Sequence, residues 1–300
     1  MARIPVEKQL TRKQIQRRVN VFRGLIRVFG GKAMGPRHPA GKELFLDTEA
    51  GRVRVLAYNL EDPRTLPLFV NIHGSGFTIG HAEMDDRFMP DIVKKAGVKI
   101  ISIDYSLAPE AMFPVAANEC YGVVKYAGEH AGELGIDRGS IGLGGHSAGG
   151  NLSAAALLMD AERRELDVKC LILDYPPMDI HTDPFAKPNP KGSLPPRMCR
   201  VFDQAYAGTR EAAKNPFISP YYATVEQVRS FPPTLVITAG QDSLAAEAEA
   251  FAQKLRDAGV EVTGRRFEGA RHGFTHKPGS QAAEAWQMMI DHLNRHLPRR

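Results

Sequence analysis

A mostly parallel β-sheet of eight strands, flanked by helices on both faces and carrying a helical cap, is the architecture this 300-residue sequence predicts. Two observations carry that expectation. Short apolar runs at Leu66–Ile72, Val98–Ile103, Ser140–Leu143, Val168–Leu173, Thr234–Thr238 and Val260–Phe267 alternate with helical segments near 86–95, 114–131, 149–163 and 243–258. Strands buried on both faces read as continuous apolar runs of this kind, and helices between them make the parallel crossovers. The rhythm then breaks over Pro176–Val228, a Pro- and Lys-rich stretch too long for an ordinary connection. Such an insertion belongs over the carboxyl ends of the strands, where open α/β sheets bind their ligands.

Taken in order, residues 1–42 form an N-terminal arm. Leu10, Ile15, Val19, Phe22, Leu25 or Ile26, and Phe29 recur at helical spacing, Thr11 is placed to cap the start, and Gly30-Gly31 with Gly35-Pro36 to end the helix. Two strand candidates follow, Glu43–Asp47 and Val53–Asn59, the second alternating as a half-exposed strand does. These two and the six apolar runs make the eight strands. The core is expected over 43–179 and 229–300, the cap insertion over 180–228, and a closing helix over about 280–296 with Ala282, Trp286, Met289 and Leu293 as its apolar stripe.

Composition narrows the class. A hydrophobic fraction of 43% and a charged fraction of 24% are ordinary globular values, which exclude a disordered or fibrous chain. No apolar stretch is long enough to span a bilayer and no secretion signal is recognised, so a cytoplasmic protein without stable membrane insertion is expected. Cys120, Cys170 and Cys199 form no metal-ligand spacing, and their odd number argues against a disulfide framework. The net charge of +5 is unevenly placed: residues 1–42 hold eleven Lys/Arg against Glu7 alone, which leaves the rest of the chain at −5. The arm has no aromatic interleaving beyond Phe22 and Phe29, so no nucleic-acid partner is expected; the reading is a solvated helix packed onto the body by one face.

The chemistry starts at Gly145-His146-Ser147-Ala148-Gly149, between a strand and a helical stretch. Glycines two before and two after the serine allow a tight strand-to-helix turn that lifts its hydroxyl into the open. A serine needs a base, and the base needs a carboxylate to orient it. In the chain order Ser, acid, His, Asp242 falls just after the strand TLVITAG and His272 just after the strand ending at Phe267. His276 is an alternative base, and Asp174 or Asp179 an alternative acid; Asp104 reads as structural, and His292 and His296 as solvent-facing. Backbone N–H groups of Ser75, Gly76 and Ala148 are candidates for an oxyanion hole, with His73, Gly74 and His146 in support and His73 bracing the loop. No nucleotide-binding glycine pattern and no His-Glu-x-x-His motif is present, so neither cofactor nor metal is expected. His81, Glu83, Asp85 and Asp86 read as acidic helix-start residues and their neighbours, not as metal ligands.

With His73-Gly74-Ser75-Gly76-Phe77, Asp104-Tyr105-Ser106-Leu107-Ala108-Pro109-Glu110, Gly145-His146-Ser147-Ala148-Gly149-Gly150, Asn215-Pro216-Phe217-Ile218-Ser219-Pro220, and Asp242 with His272-Gly273-Phe274, the chain resembles the hormone-sensitive-lipase-like family of bacterial carboxylesterases, an α/β-hydrolase family. The resemblance implies hydrolysis of short to medium acyl esters through an acyl-enzyme, a small-molecule ester as the partner, no cofactor, a cap built from the arm plus the 180–228 insertion, and a homodimer paired through the last strand. By position alone, Phe202, Tyr206, Phe217, Tyr221 and Tyr222 would either line an apolar pocket or form the core of the cap. Three positions depart from the family pattern: Ser75 stands where a middle glycine is usual, His146 where an acid usually precedes the nucleophile, and Ser243-Leu244-Ala245-Ala246 keeps only the leucine of the usual segment after the acid. An acetyl-ester deacetylase or lactonase is the nearest alternative, and a non-catalytic small-molecule receptor the alternative of another class.

Overall fold

The computed structural model describes residues 9–29, 35–36 and 38–297. Its eight strands are β1 (Lys42–Thr48), β2 (Gly51–Tyr58), β3 (Leu66–Ile72), β4 (Lys99–Asp104), β5 (Ile136–His146), β6 (Val168–Asp174), β7 (Thr234–Gln241) and β8 (Val262–Arg271). They form one sheet in the order β1-β2-β4-β3-β5-β6-β7-β8, antiparallel at β1/β2 and β2/β4 and parallel from β4 to β8. The predicted α/β sheet is thus borne out. Every residue of β3 is buried, as a central strand covered on both faces requires. Each aliphatic side chain so buried contributes roughly 1.5–3 kcal/mol.

The helices are α1 (Arg12–Phe29), α2 (Met89–Ala96), α3 (Val115–Glu129), α4 (Ala131–Leu134), α5 (Ala148–Arg163), α6 (Pro196–Ala207), α7 (Val225–Val228), α8 (Ala245–Asp257) and α9 (Ser280–His296). Two apolar cores hold them to the sheet. On one face Leu68, Val70 and Leu143 pack with α3, α5 and α8 through Val123, Leu152 and Leu255; on the other Phe69, Ile100 and Ile172 pack with α2 and α9 through Ile92, Met289 and Leu293. The fifty-nine residues between β6 and β7 leave the sheet and carry α6 and α7.

α1 is tied to that insertion. Thr11 caps it, its Oγ1 accepting from Gln14 N while Gln14 Oε1 accepts from Thr11 N. Leu10 N donates to Gln204 Oε1 of α6, Phe22 lies against Phe202 with centroids 6.0 Å apart, and Ile15 and Val19 are buried. The glycine stop at Gly30-Gly31 and the Phe29 side chain lie outside the described residues.

Some boundaries move. α2 starts at Met89, with Pro90 in its first turn, not near Asp85. Asp85 and Asp86 are therefore no exposed helix-start acids: both are buried, Asp86 accepting from Tyr58 Oη and Gly41 N. β8 runs on to Arg271, four residues beyond the apolar run, because an edge strand needs buried side chains on one face only; Phe267 and Ala270 supply them. His272 consequently leaves the sheet directly at its end.

Candidate active site

Ser147 sits between β5 and α5 with φ 50° and ψ −118°, a conformation that L-residues rarely adopt. Its amide donates to Asp174 O at 2.8 Å, which pins the bend to β6. Gly149 has to be glycine, since a Cβ there would lie 2.0 Å from Ile72 O. The backbone of α5 can thus press against the end of β3, and the serine hydroxyl is left facing out.

His272 reaches that hydroxyl from the end of β8. Ser147 Oγ lies 2.9 Å from His272 Nε2, and His272 Nδ1 lies 2.7 Å from Asp242 Oδ2. With Nδ1–H donating to the carboxylate, Nε2 is free to accept the serine proton. Asp242 follows β7 and is 4% exposed; its other oxygen accepts from Leu244 N at 3.2 Å. This is a Ser-His-Asp triad of 147, 272 and 242. Tyr175 packs edge-to-face with His272, centroids 4.9 Å apart, and restricts the imidazole from the side.

The rival residues are engaged elsewhere. His276 Nε2 bonds Asp85 Oδ1 at 2.7 Å and its Nδ1 lies 3.0 Å from Tyr175 Oη. Asp174 accepts from His146 Nδ1 at 2.7 Å and from Thr275 Oγ1 at 2.8 Å, and Asp179 accepts from the His181 and Thr182 amides. Asp104 holds Arg54 and the Ala82 amide, a structural role. His292 and His296 do not face solvent: His292 is 7% exposed with Nε2 against Pro233 O, because α9 lies flat on the sheet and turns that side inward.

Beneath the serine lies a polar cluster that sequence reading did not join. Asp85, His146 and His276 bring one ligand-type atom each to within 4.8 Å of one another. Their hydrogen bonds run instead within the protein: Asp85 also accepts from Asn71 Nδ2, and His146 is held by Asp174. Burial works against the charge on His146, but Asp85 and Asp174 outweigh it and hold the imidazole above its ordinary range. Burial likewise opposes ionisation of Asp85, and His146 and His276 overcome it, so that carboxyl stays well below the usual carboxylate range. The set His81, Glu83, Asp85 and Asp86 does not converge: His81 pairs with Glu83, which turns to Arg54.

The loop after β3 has three successive positive φ angles, 88° at Ser75, 61° at Gly76 and 60° at Phe77. Gly76 has no room for a side chain, since a Cβ would meet the Phe202 ring at 2.4 Å. Ser75 Oγ points to Met84 Sδ, 3.4 Å away. His73 is fully buried, stacked on Tyr105 with centroids 4.2 Å apart, its Nδ1–H donating to Gly74 O; burial lowers its basicity.

These elements close around a cavity of about 430 Å³ that contains Ser147 and His272. Its cap side is apolar, with Ile26, Leu194, Met198 and Phe202; its sheet side is polar, with Asp85, His146 and His276. Of the five cap aromatics, Phe202 alone lines it. Tyr206 is buried flat against Phe77, 3.9 Å between centroids, and Tyr221 and Tyr222 point outward beside α8, each 36% exposed. Cys199 also lines the cavity, but burial, then Asp203, pushes its thiol up to about 12, so it is no competing nucleophile at neutral pH.

Comparison with known proteins agrees with this geometry. The model of the alpha/beta hydrolase fold family matches residues 69–276. A carboxylic ester hydrolase of Mycobacterium tuberculosis, LipN, is 32% identical over 280 residues, covering 88% of this chain and 73% of LipN. An alpha/beta hydrolase of Acanthamoeba polyphaga mimivirus is 32% identical over 211 residues, 70% of this chain and 61% of that relative, so the chain spans less than two thirds of the viral protein's length. Among solved structures, a thermostable esterase from Pseudomonas putida superposes with a TM-score of 0.83 at 28% identity, covering 94% of this chain and 91% of that one.

Proposed function

The chain belongs to the alpha/beta hydrolase fold family, and from that premise we propose that it hydrolyses small carboxylic esters of short to medium acyl chains. The observation that carries the proposal is Ser147 Oγ at 2.9 Å from His272 Nε2 inside a cavity of about 430 Å³. The reaction class is that of a serine hydrolase working through an acyl-enzyme. His272 takes the serine proton as Oγ attacks the ester carbonyl, then returns it to the departing alcohol. A water, deprotonated by the same ring, releases the acid, while Asp242 keeps the proton on Nδ1 throughout.

The oxyanion is assigned to the backbone N–H groups of Ser75, Gly76 and Ala148, with His73, Gly74 and His146 holding the two turns. Three positive φ angles in a row, which turn the loop sharply beside the serine, support that assignment. The cap is assigned to the arm of residues 1–42 with the insertion 180–228, supported by the bond from Leu10 to Gln204. A cytoplasmic location and a dimer paired through β8, the last strand in the sheet order, complete the reading.

Chromogenic esters graded from acetate to long-chain acids, run on wild type and Ser147→Ala, test it. Turnover falling with chain length and abolished in the variant is expected. Hydrolysis confined to acetylated sugars or to lactones would replace the substrate class and keep the mechanism. Turnover unchanged by Ser147→Ala would remove both, and absence of turnover with tight binding of small ligands would favour a receptor.

A further inference from the structure

α1 has two apolar faces, and among the described residues only one of them is packed against the body. Ile15, Val19, Phe22 and Ile26 turn toward the body, with Ile26 reaching the catalytic cavity, and Arg23 is spent inward on Glu110 and on the carbonyls of Thr78 and Ala108. Val21, Leu25 and Val28 fall at i, i+4 and i+7 on the outer side, where they are 55%, 50% and 72% exposed. At 100° per residue Arg17 and Lys13 fall on one side of that stripe and Arg18 on the other, and the helix contains no acidic residue. A solvated helix face has no use for three adjoining aliphatic side chains. Phe45, another exposed apolar side chain, at least has Arg52 laid over its ring.

We propose that this outer face of α1 docks the protein reversibly on an anionic lipid surface. The charge pattern selects the occupant. An apolar stripe with cations on both margins matches the boundary of an acidic bilayer, where aliphatic groups enter the acyl region and Lys and Arg remain among the headgroup phosphates. Nucleic acid would use the cations and leave the stripe in water. The placement also has a use. α1 forms part of the cavity wall through Ile26, so a protein lying on this face holds the entrance to Ser147 at the lipid boundary, where poorly soluble esters collect. Attachment is peripheral, as no helix among the described residues is long and apolar enough to cross a membrane.

The test is co-sedimentation of the full chain with vesicles of phosphatidylglycerol and phosphatidylcholine in equal parts, against phosphatidylcholine alone. Binding to the acidic vesicles should exceed that to neutral ones by roughly tenfold or more and weaken with salt. Val21→Ser/Leu25→Ser/Val28→Ser should lose most of it while keeping wild-type turnover of a soluble ester. Arg17→Glu/Arg18→Glu should lose at least roughly fivefold for each charge removed. Leu25→Trp gives a second readout independent of the serine variant's folding: its emission should move to the blue on adding acidic vesicles. Equal sedimentation of wild type and the serine variant, or no spectral shift, would overturn the proposal. So would a concentration-dependent dimer that the serine variant abolishes in the absence of vesicle binding, since the face would then belong to a second copy. Vesicle binding is read without any ester, so its failure leaves the hydrolase reading intact.

Discussion

Two His–Asp pairs flank the same serine. His272 holds Asp242 and His146 holds Asp174, each through Nδ1 at 2.7 Å. His146 is even the covalent neighbour of Ser147. Yet only the residue 125 positions away brings its second nitrogen to the hydroxyl, because a side chain adjacent to Ser147 leaves the sharp bend in another direction and is buried beneath it. Here His146 packs against Trp286 and His276, on the side of the sheet where α9 lies. The same pair of groups is chemistry in one place and scaffold in the other, and the free nitrogen decides which.

Parallel substitutions in the two pairs should have opposite effects. His272→Gln should lower kcat on the order of 10⁴-fold or more with little change in melting. His146→Gln should do the reverse: kcat within about tenfold of wild type, and unfolding stability lower by roughly 2–4 kcal/mol, because Asp85 and Asp174 are left buried without their partner. If His146→Gln lost as much turnover as His272→Gln at unchanged stability, the division of roles would be wrong. Asp242→Asn and Asp174→Asn repeat the contrast on the carboxylates. The first should cost about 10⁴ in kcat by presenting the wrong imidazole tautomer. The second should act mainly on denaturant midpoint, since Asp174 also receives Thr275.

Acidity sharpens the contrast further. His146 has a raised pKa, so its pairing stabilises the fold fully below the ordinary histidine value and that stabilisation is lost as pH rises through the raised one. His292 runs the other way: burial, then His296, lowers it from 6.5 to about 4. Its neutral form is the folded one, so stability should fall by on the order of 2 kcal/mol as pH drops from 6.5 toward 4. Urea titrations across that range should show this slope flattened in His292→Gln, which keeps an N–H for Pro233 O. A smaller effect is expected at Ser75→Gly: kcat/KM should stay within about threefold, as the hydroxyl points to Met84 and the proposed role belongs to the amide.

The triad was legible because its positions are set by chain topology. A strand that ends at the catalytic edge delivers the next residue there, which placed Asp242 after β7 and His272 after β8 without knowledge of any contact. The same rule reaches Tyr175, directly after β6, and would have identified the residue that steadies His272. What sequence could not convey is which way a side chain turns within a packed element. His292 looks like a solvated helix residue by spacing, but α9 buries a wider face than its stripe of four apolar residues implies. The cap aromatics divide in a way their spacing does not encode: of five within twenty-one residues, tertiary packing sends Phe202 to the cavity, Tyr206 and Phe217 against the core, and Tyr221 and Tyr222 outward. Asp85 and Asp86 looked like helix-start acids because nothing local reveals that Tyr58, Asn71 and His276 wait for them.

The bend at residue 147 carries a last consequence. An L-residue held at φ 50° and ψ −118° stores on the order of 1–3 kcal/mol that the rest of the molecule must offset. Glycine relaxes there, so Ser147→Gly should abolish turnover and yet melt several degrees above the parent. Robustness and reactivity are thus opposed at a single backbone torsion, and a descendant freed from selection for turnover would drift toward the tougher, silent form.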